Sequence, residues 1–203
     1  MEWVYDTQLV DYETALKAMQ ERVDQIYRKQ KPELIWCLQH PPLFTAGTSA
    51  QKEELLNSFS LPVYYTGRGG RFTYHGPGQL IVYILVNLIE RQLDIKAYLN
   101  LIENWIIETL QVCGINAEQR AGRIGVWVKN EAEEAKIAAI GIRVSRGVTW
   151  HGLAINVAPD LKYFTGVIPC GLSNFGVTSL AKIGAKVNLN QLQEILKTTC
   201  PFH

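Results

Sequence analysis

No run of apolar residues in this 203-residue chain is long enough to cross a bilayer: the longest is the seven residues Leu80 to Val86, against roughly 18 for a spanning helix. The first residues, Met-Glu-Trp-Val-Tyr-Asp, have neither the basic flank nor the apolar stretch of a secretory signal, so the expected location is the cytoplasm. An excess of one charge is missing too. Twenty Lys and Arg stand against 19 Asp and Glu, with no basic block, which removes the electrostatic footprint of a nucleic-acid binder. Cysteine is sparse: Cys37, Cys113, Cys170 and Cys200 stand far apart, without a Cys-x-x-Cys pair or a metal-type Cys/His spacing. That excludes a disulfide framework and a zinc module and points to free thiols in a reducing compartment. Phosphate loops are absent as well. Gly67 to Phe72 lacks the last glycine of a dinucleotide fingerprint, and no Gly-x-x-x-x-Gly-Lys-Ser/Thr occurs. No repeat, low-complexity tract or linker divides the chain, so residues 1–203 are expected to form one domain.

What is present is concentrated in Arg68-Gly69-Gly70-Arg71-Phe72-Thr73-Tyr74-His75-Gly76-Pro77-Gly78-Gln79, between the apolar runs Pro62 to Tyr65 and Leu80 to Val86. Glycine lacks a Cβ, so its backbone takes positive φ and lets another molecule approach closely. A hairpin with Gly-Pro turn chemistry is the plain alternative. It leaves unexplained why Arg68, Arg71, Thr73, Tyr74 and His75 crowd onto the glycines; polar groups beside close-approach backbone are what a ligand site requires.

Around this stretch the periodicities predict an α+β chain. Trp3 to Tyr5 reads as a short strand, and Asp11 caps a helix with Tyr12, Ala15, Leu16, Met19, Val23, Ile26 and Tyr27 on one stripe. Leu34 to Leu38 is a strand that ends at His40-Pro41-Pro42, where the prolines stop pairing and hold an extended loop. His40 reads equally as a site residue or a solvated loop residue. A short helical segment is expected near Gln51 to Asn57. Asp94 caps a long helix with Ile95, Tyr98, Leu99, Ile102, Trp105, Ile106 and Leu110 in a stripe that Leu101 and Ile107 widen; it ends at Gly114 and should be buried on most of its circumference. Ile115 to Gln119, Gly125 to Lys129, Ala135 to Val144 and Val148 to Val157 follow as strands whose short connections, Asn130 to Glu134 and Ser145 to Gly147, demand antiparallel pairing. Asn188 and Gln191 form a capping box for a last helix from Leu189 to about Thr199. The expected fold is a mixed or antiparallel sheet with helices packed on one side.

Among the cysteines, Cys37 and Cys113 lie in strand and helix patterns and read as small core hydrophobes, and Cys200 as incidental on the C-terminal tail. Cys170 differs. It sits in Ile168-Pro169-Cys170-Gly171, off any apolar periodicity and fixed by its neighbours. A thiol becomes a nucleophile only when its pKa falls from about 8.5, so the chain must supply an activator: His40, His75, His151 or a lysine. Lys136 opens Lys-Ile-Ala-Ala-Ile-Gly-Ile-Arg, where Ala138, Ala139 and Gly141 leave room for a ligand. A solvated edge-strand lysine is the plain reading of the same residue.

Taken together, four segments resemble the lipoyl(octanoyl) transferases: Arg68 to Gln79, Lys136 to Arg143, Thr149-Trp150-His151-Gly152-Leu153-Ala154-Ile155-Asn156, and Pro169-Cys170-Gly171 through Gly176-Val177-Thr178-Ser179-Leu180. The match runs in order from about Trp3 to Ala181. Gly147 and Asn174-Phe175 depart from the family's usual residues, away from the proposed chemistry. The resemblance implies the fold of the lipoate and biotin protein ligase catalytic domains. It implies transfer of an octanoyl group from acyl carrier protein to a lysine of a lipoyl domain, in 2-oxoacid dehydrogenase complexes or the glycine cleavage H protein. Cys170 would be the acyl-thioester nucleophile and Lys136 its partner. By the same resemblance Arg68, Gly69, Gly70, Arg71, Phe72, Thr73, Tyr74, His75, Ala139, Ile140, Gly141, Gly152, Leu153 and Ala154 line the substrate site. His75 and His151, beside Gly76 and Gly152, read as positioning residues and not as bases. No cofactor or metal is expected, because a thioester is already activated and a cysteine can divide its transfer into two steps. Two alternatives stay open. One is an ATP-dependent lipoate or biotin protein ligase, which needs no nucleophilic cysteine; the other is a non-catalytic module that binds an acyl carrier.

Overall fold

Every position from Gln79 to Leu85 is buried. A strand with no solvent-facing side has to lie inside a sheet covered on both faces, and the rest of the fold is arranged around it. The structure is a computed structural model that describes residues 1–129, 134–168 and 176–202. In chain order the elements are β1 (Glu2–Leu9), α1 (Tyr12–Tyr27), β2 (Leu34–Gln39), β3 (Leu43–Ala46), β4 (Val63–Tyr65), β5 (Phe72–His75), β6 (Gln79–Leu85), α2 (Ile95–Val112), β7 (Ala117–Arg120), β8 (Arg123–Lys129), β9 (Glu134–Ser145), β10 (Val148–Asn156), β11 (Gly176–Val177) and α3 (Leu189–Thr198).

The main sheet runs β1-β2-β6-β10-β9-β8-β7, with β11 added to β9; a second sheet runs β4-β3-β5. Pairs β1–β2 and β11–β9 are parallel and the other main-sheet pairs antiparallel. The β9–β10 connection is tight because Arg146 and Gly147 both take positive φ, 53° and 82°, the twist a two-residue hairpin needs.

Asp11, Asp94 and Asn188 cap the three helices as their sequences require, each accepting from a backbone N–H three residues on. Each cap is worth about 1 kcal/mol, whereas each large apolar side chain that a helix buries contributes about 1.5–3 kcal/mol, so packing fixes where the helices lie. They lie on both faces of the sheet, not one. Ala15, Met19, Val23 and Ile26 of α1 cover Leu34, Trp36, Leu38, Ile81 and Tyr83. On the opposite face α2 and α3 cover Ile35, Cys37, Leu80, Val82 and Ile84.

Three further expectations are corrected. The prolines at 41 and 42 do end the pairing of β2, but they hold no extended loop: the chain enters β3, the centre of the second sheet, at Leu43. The plain alternative of a hairpin around the glycine stretch is excluded, since β4 pairs with β3 while β6 pairs with β2 and β10. Helix α2 buries one face, Tyr98, Ile102, Trp105, Ile106, Thr109 and Leu110, and leaves Ile95, Asn100, Asn104, Glu108 and Val112 exposed. Strand β1 is longer than its apolar core because its parallel partner β2 extends the ladder. The connection 130–133 lies outside the described residues. Among the described residues no helix is long and apolar enough to cross a membrane.

Candidate active site

Pairing between β8 and β9 ends at Val126 and Ala138, yet β9 continues to Ser145. The space along this unpaired stretch, closed by the glycine-rich chain from Arg68 to Thr73, is a cavity of about 830 Å³, within the usual range for a small-molecule pocket.

Its cover is built by Arg68. The residue is 8% exposed, and its guanidinium donates to Thr45 Oγ1 (3.0 and 2.7 Å), Thr45 O (2.7 Å), Gly69 O (2.9 Å) and Arg71 O (2.9 Å). A residue that sequence reading offers to the substrate therefore folds the loop that covers the cavity. Gly69 N–H then docks the loop on Ile142 O at 2.8 Å, and Gly70, at φ +87°, makes the turn. Arg71 is held by the Glu54 carboxylate. Phe72, Thr73 and His75 line the cavity, as do Ala139, Ile140, Gly141, His151, Gly152, Leu153 and Ala154. Tyr74 does not: it is 1% exposed and stacks on Tyr163, centroids 4.8 Å apart, in the small core under the second sheet. The missing Cβ of Gly152 is used by the fold, since a side chain there would overlap the Val82 carbonyl oxygen.

The histidines have separate fates. His40 is fully buried. Its Nδ1–H donates to Val10 O (2.6 Å) and its Nε2 accepts from Tyr83 OH (2.7 Å), so it is neither a solvated loop residue nor open to a ligand, and burial lowers its pKa. His75, a half-buried residue, bonds Gln79 through Nδ1 (2.7 Å) and Thr45 through Nε2 (3.3 Å), and desolvation of its ring, aided by His40, pushes its pKa down to about 3. His151 takes φ +61°, is 2% exposed, stacks on Trp150 at 4.9 Å and has no partner for Nε2 among the described residues. Burial, with Arg68 and Arg143 near, pushes it to about 3. All three are neutral at pH 7.

Lys136 is not a solvated edge lysine. It is 6% exposed and flanked in the sheet by Trp127 of β8 and Val177 of β11. Nζ donates to Ile124 O at 2.8 Å and lies 4.8 Å from the centre of the Trp127 ring, a cation over an aromatic face. Gly125, at φ +114°, makes room for it: a Cβ there would lie 3.3 Å from Nζ and 2.7 Å from Ala138 O.

Cys170 lies outside the described residues, with Pro169 and Gly171. The chain on either side is anchored. Ile168 N–H donates to Glu54 O (2.9 Å), Gly176 pairs with Ala135, and Thr178 N–H donates to Lys136 O (3.0 Å); Val167 and Val177 both line the cavity. The other three thiols are unsuited to nucleophilic work. Burial pushes Cys37 up to about 12 and raises Cys113 and Cys200. Cys200 is not incidental: it is 5% exposed and part of the α2-side core. Among the described residues no group of three or more His, Cys, Asp or Glu side chains could hold a metal ion.

Sequence reading missed Ile95, Leu99 and Ile124, which line the cavity. Ile95 and Leu99 fit a helix stripe, and only the tertiary position of α2 separates cavity lining from core. It also missed the buried amides of Gln79 and Asn156, which meet across the β6–β10 pair.

Residues 11–200 match the family described as the lipoyl protein ligase A/B catalytic domain. An octanoyltransferase of Wolbachia pipientis wMel is 49% identical over 197 residues, 97% of this chain and 96% of that protein. In fold the chain is similar to a lipoate-protein ligase A bound with ATP (TM-score 0.73, 15% identity, 98% of this chain and 84% of that one). It is also similar to the biotin protein ligase of Aquifex aeolicus (TM-score 0.53, 14% identity, 98% and 66%).

Proposed function

Because the chain belongs to the lipoyl protein ligase A/B catalytic-domain family, with an octanoyltransferase nearly half identical along its whole length, we propose that it moves an octanoyl group from an acyl-carrier thioester to a lysine of a lipoyl domain. Cys170 is the nucleophile and Lys136 its ionic partner. The observation that carries this is the buried ammonium of Lys136 in the wall of the cavity, with β11, the first described residues after Cys170, paired to Lys136 itself.

In the first step the Cys170 thiolate, favoured by a neighbouring cation, attacks the carrier thioester. The new C–S bond forms as the old one breaks, and the leaving carrier thiolate takes a proton from Lys136. In the second step the acceptor amine attacks the octanoyl-enzyme, neutral Lys136 takes the proton the amine gives up, and Cys170 leaves as thiolate. Protons balance over the cycle, and no nucleotide is consumed. Octanoyl-acyl carrier protein is the donor; lipoyl domains of 2-oxoacid dehydrogenase complexes and the glycine cleavage H protein are the acceptors. We place the reaction in the cytoplasm, where thiols stay reduced.

The test is intact-mass analysis after mixing with octanoyl-acyl carrier protein, beside ATP plus free octanoate. One octanoyl adduct from the carrier, lost in Cys170→Ala and kept in Cys37→Ala, Cys113→Ala and Cys200→Ala, is expected. Acyl-adenylate formed from ATP and octanoate would make the chain a ligase, and binding of the carrier without an adduct would make it a non-catalytic module.

A further inference from the structure

Two backbone carbonyls fix the orientation of two buried amides. Gln79, 2% exposed, places Nε2 against Tyr74 O (3.4 Å), and Asn156, 4% exposed, places Nδ2 against Thr178 O (3.0 Å). A carbonyl only accepts, so both NH₂ groups are set independently of one another. What lies between them follows. Gln79 Nε2 donates to Asn156 Oδ1 (2.9 Å), and Gln79 Oε1 is left to accept from His75 Nδ1–H (2.7 Å). Neutral His75 then offers the lone pair of Nε2 to the Thr45 hydroxyl (3.3 Å), whose oxygen is already occupied by the Arg68 guanidinium. Every bond in the series points the same way, from Arg68 through Thr45, His75, Gln79 and Asn156 to Thr178.

The series ends where the sheet forks. β10 stops at Asn156, and β11 pairs with β9 at Ala135 and Lys136. Thr178, whose carbonyl Asn156 holds, donates its own N–H to Lys136 O. β11 is only two residues long, below the usual strand length, so its register rests also on the bonds that hold the residues just after it.

We infer that Gln79 and Asn156 are positioning residues for acyl transfer: their one-directional chain joins the glycine-rich cover of the cavity to β11 and so fixes that strand against Lys136. Both amides also line the cavity, and each acts through the hydrogen-bond chain that holds β11. The inference rests on the transfer reading above, and the readouts separate the two.

Asn156→Asp keeps the shape of the side chain, still accepts from Gln79, and sets a carboxylate against Thr178 O. Hydrogen exchange should accelerate in a peptide spanning 176–180 while one spanning 80–86 stays as protected as in the parent. In octanoyl transfer from the carrier, kcat should fall roughly ten- to a hundredfold, the cost of misplacing a group by about 1 Å, with KM for the carrier within twofold. A purely structural role would lower the melting temperature without that split. Should Asn156→Asp fail to fold, Gln79→Met, of similar volume, is read in the same two ways and should show the smaller effect, because the Asn156–Thr178 bond survives. Unchanged exchange at 176–180, or faster exchange with unchanged kcat, overturns the inference. A parent protein that forms no octanoyl adduct would instead sink the transfer reading, while exchange still decides whether the chain holds β11.

Discussion

The neutral histidines give the protein a pH dependence with a definite sign. His75 and His151 have folded pKa values of about 3, and that of His40 is also lowered. An unfolded histidine titrates near 6.5. Below about pH 6.5 the unfolded chain therefore binds more protons than the folded one, and stability falls toward pH 3 by up to about 1.4 kcal/mol per pH unit for each of His75 and His151, with His40 adding to the fall in the same direction. Urea unfolding between pH 7.5 and 4.5 should show this slope, and His151→Phe should make it shallower; equal slopes in both proteins would show that His151 is not held neutral. Thiol chemistry divides just as sharply. Iodoacetamide at pH 7 should label Cys170 in the native protein and spare Cys37, Cys113 and Cys200, as peptide mapping will read; in urea all four should react. Cys170 was singled out by its local Ile-Pro-Cys-Gly context. No such context exists for His40, whose partners Val10 and Tyr83 are 30 and 43 positions away, so sequence alone left its role open.

Between strands, small residues do two jobs that a sequence does not distinguish. Gly125 and Gly152 are both needed for space, Gly125 beside Lys136 and Gly152 against Val82, whereas Gly114 has positive φ (+76°) and nothing within 4 Å of a Cβ. Gly114→Ala should lose about 1 kcal/mol. Gly125→Ala adds contact with Ala138 O to a strained φ and should lose about 1–3 kcal/mol together with transfer activity, as thermal melts and single-turnover assays will show; full activity in Gly125→Ala would mean that Gly125 is not needed to seat Lys136. Helix starts were legible because a cap is written within three or four residues. The assignment of α1 to one face and α2 to the other was not, because strands buried on both faces, such as Leu34–Gln39 and Gln79–Leu85, read as unbroken apolar runs with no side marked. The prolines before β3 misled for a related reason: they end one strand's pairing and deliver the chain to another sheet.

Over the whole molecule, fold and chemistry carry separate information. The lipoate ligase bound with ATP has this fold at 15% identity, so architecture does not distinguish adenylation of a free acid from transfer of an existing thioester. The motifs do more, since the residues of 68–75, 139–141 and 151–154 meet around one cavity with Lys136 in its wall, Tyr74 excepted. Transfer through a cysteine makes a demand that the alternatives do not: the octanoyl-enzyme must be competent, not merely detectable. The decisive measurement isolates octanoylated protein, free of carrier, and adds a lipoyl domain in a rapid-quench experiment. The account predicts that octanoyl leaves Cys170 and appears on the acceptor lysine at a rate no slower than steady-state turnover, and far more slowly in Lys136→Ala. An octanoyl-enzyme that persists in the presence of acceptor while turnover proceeds would contradict it.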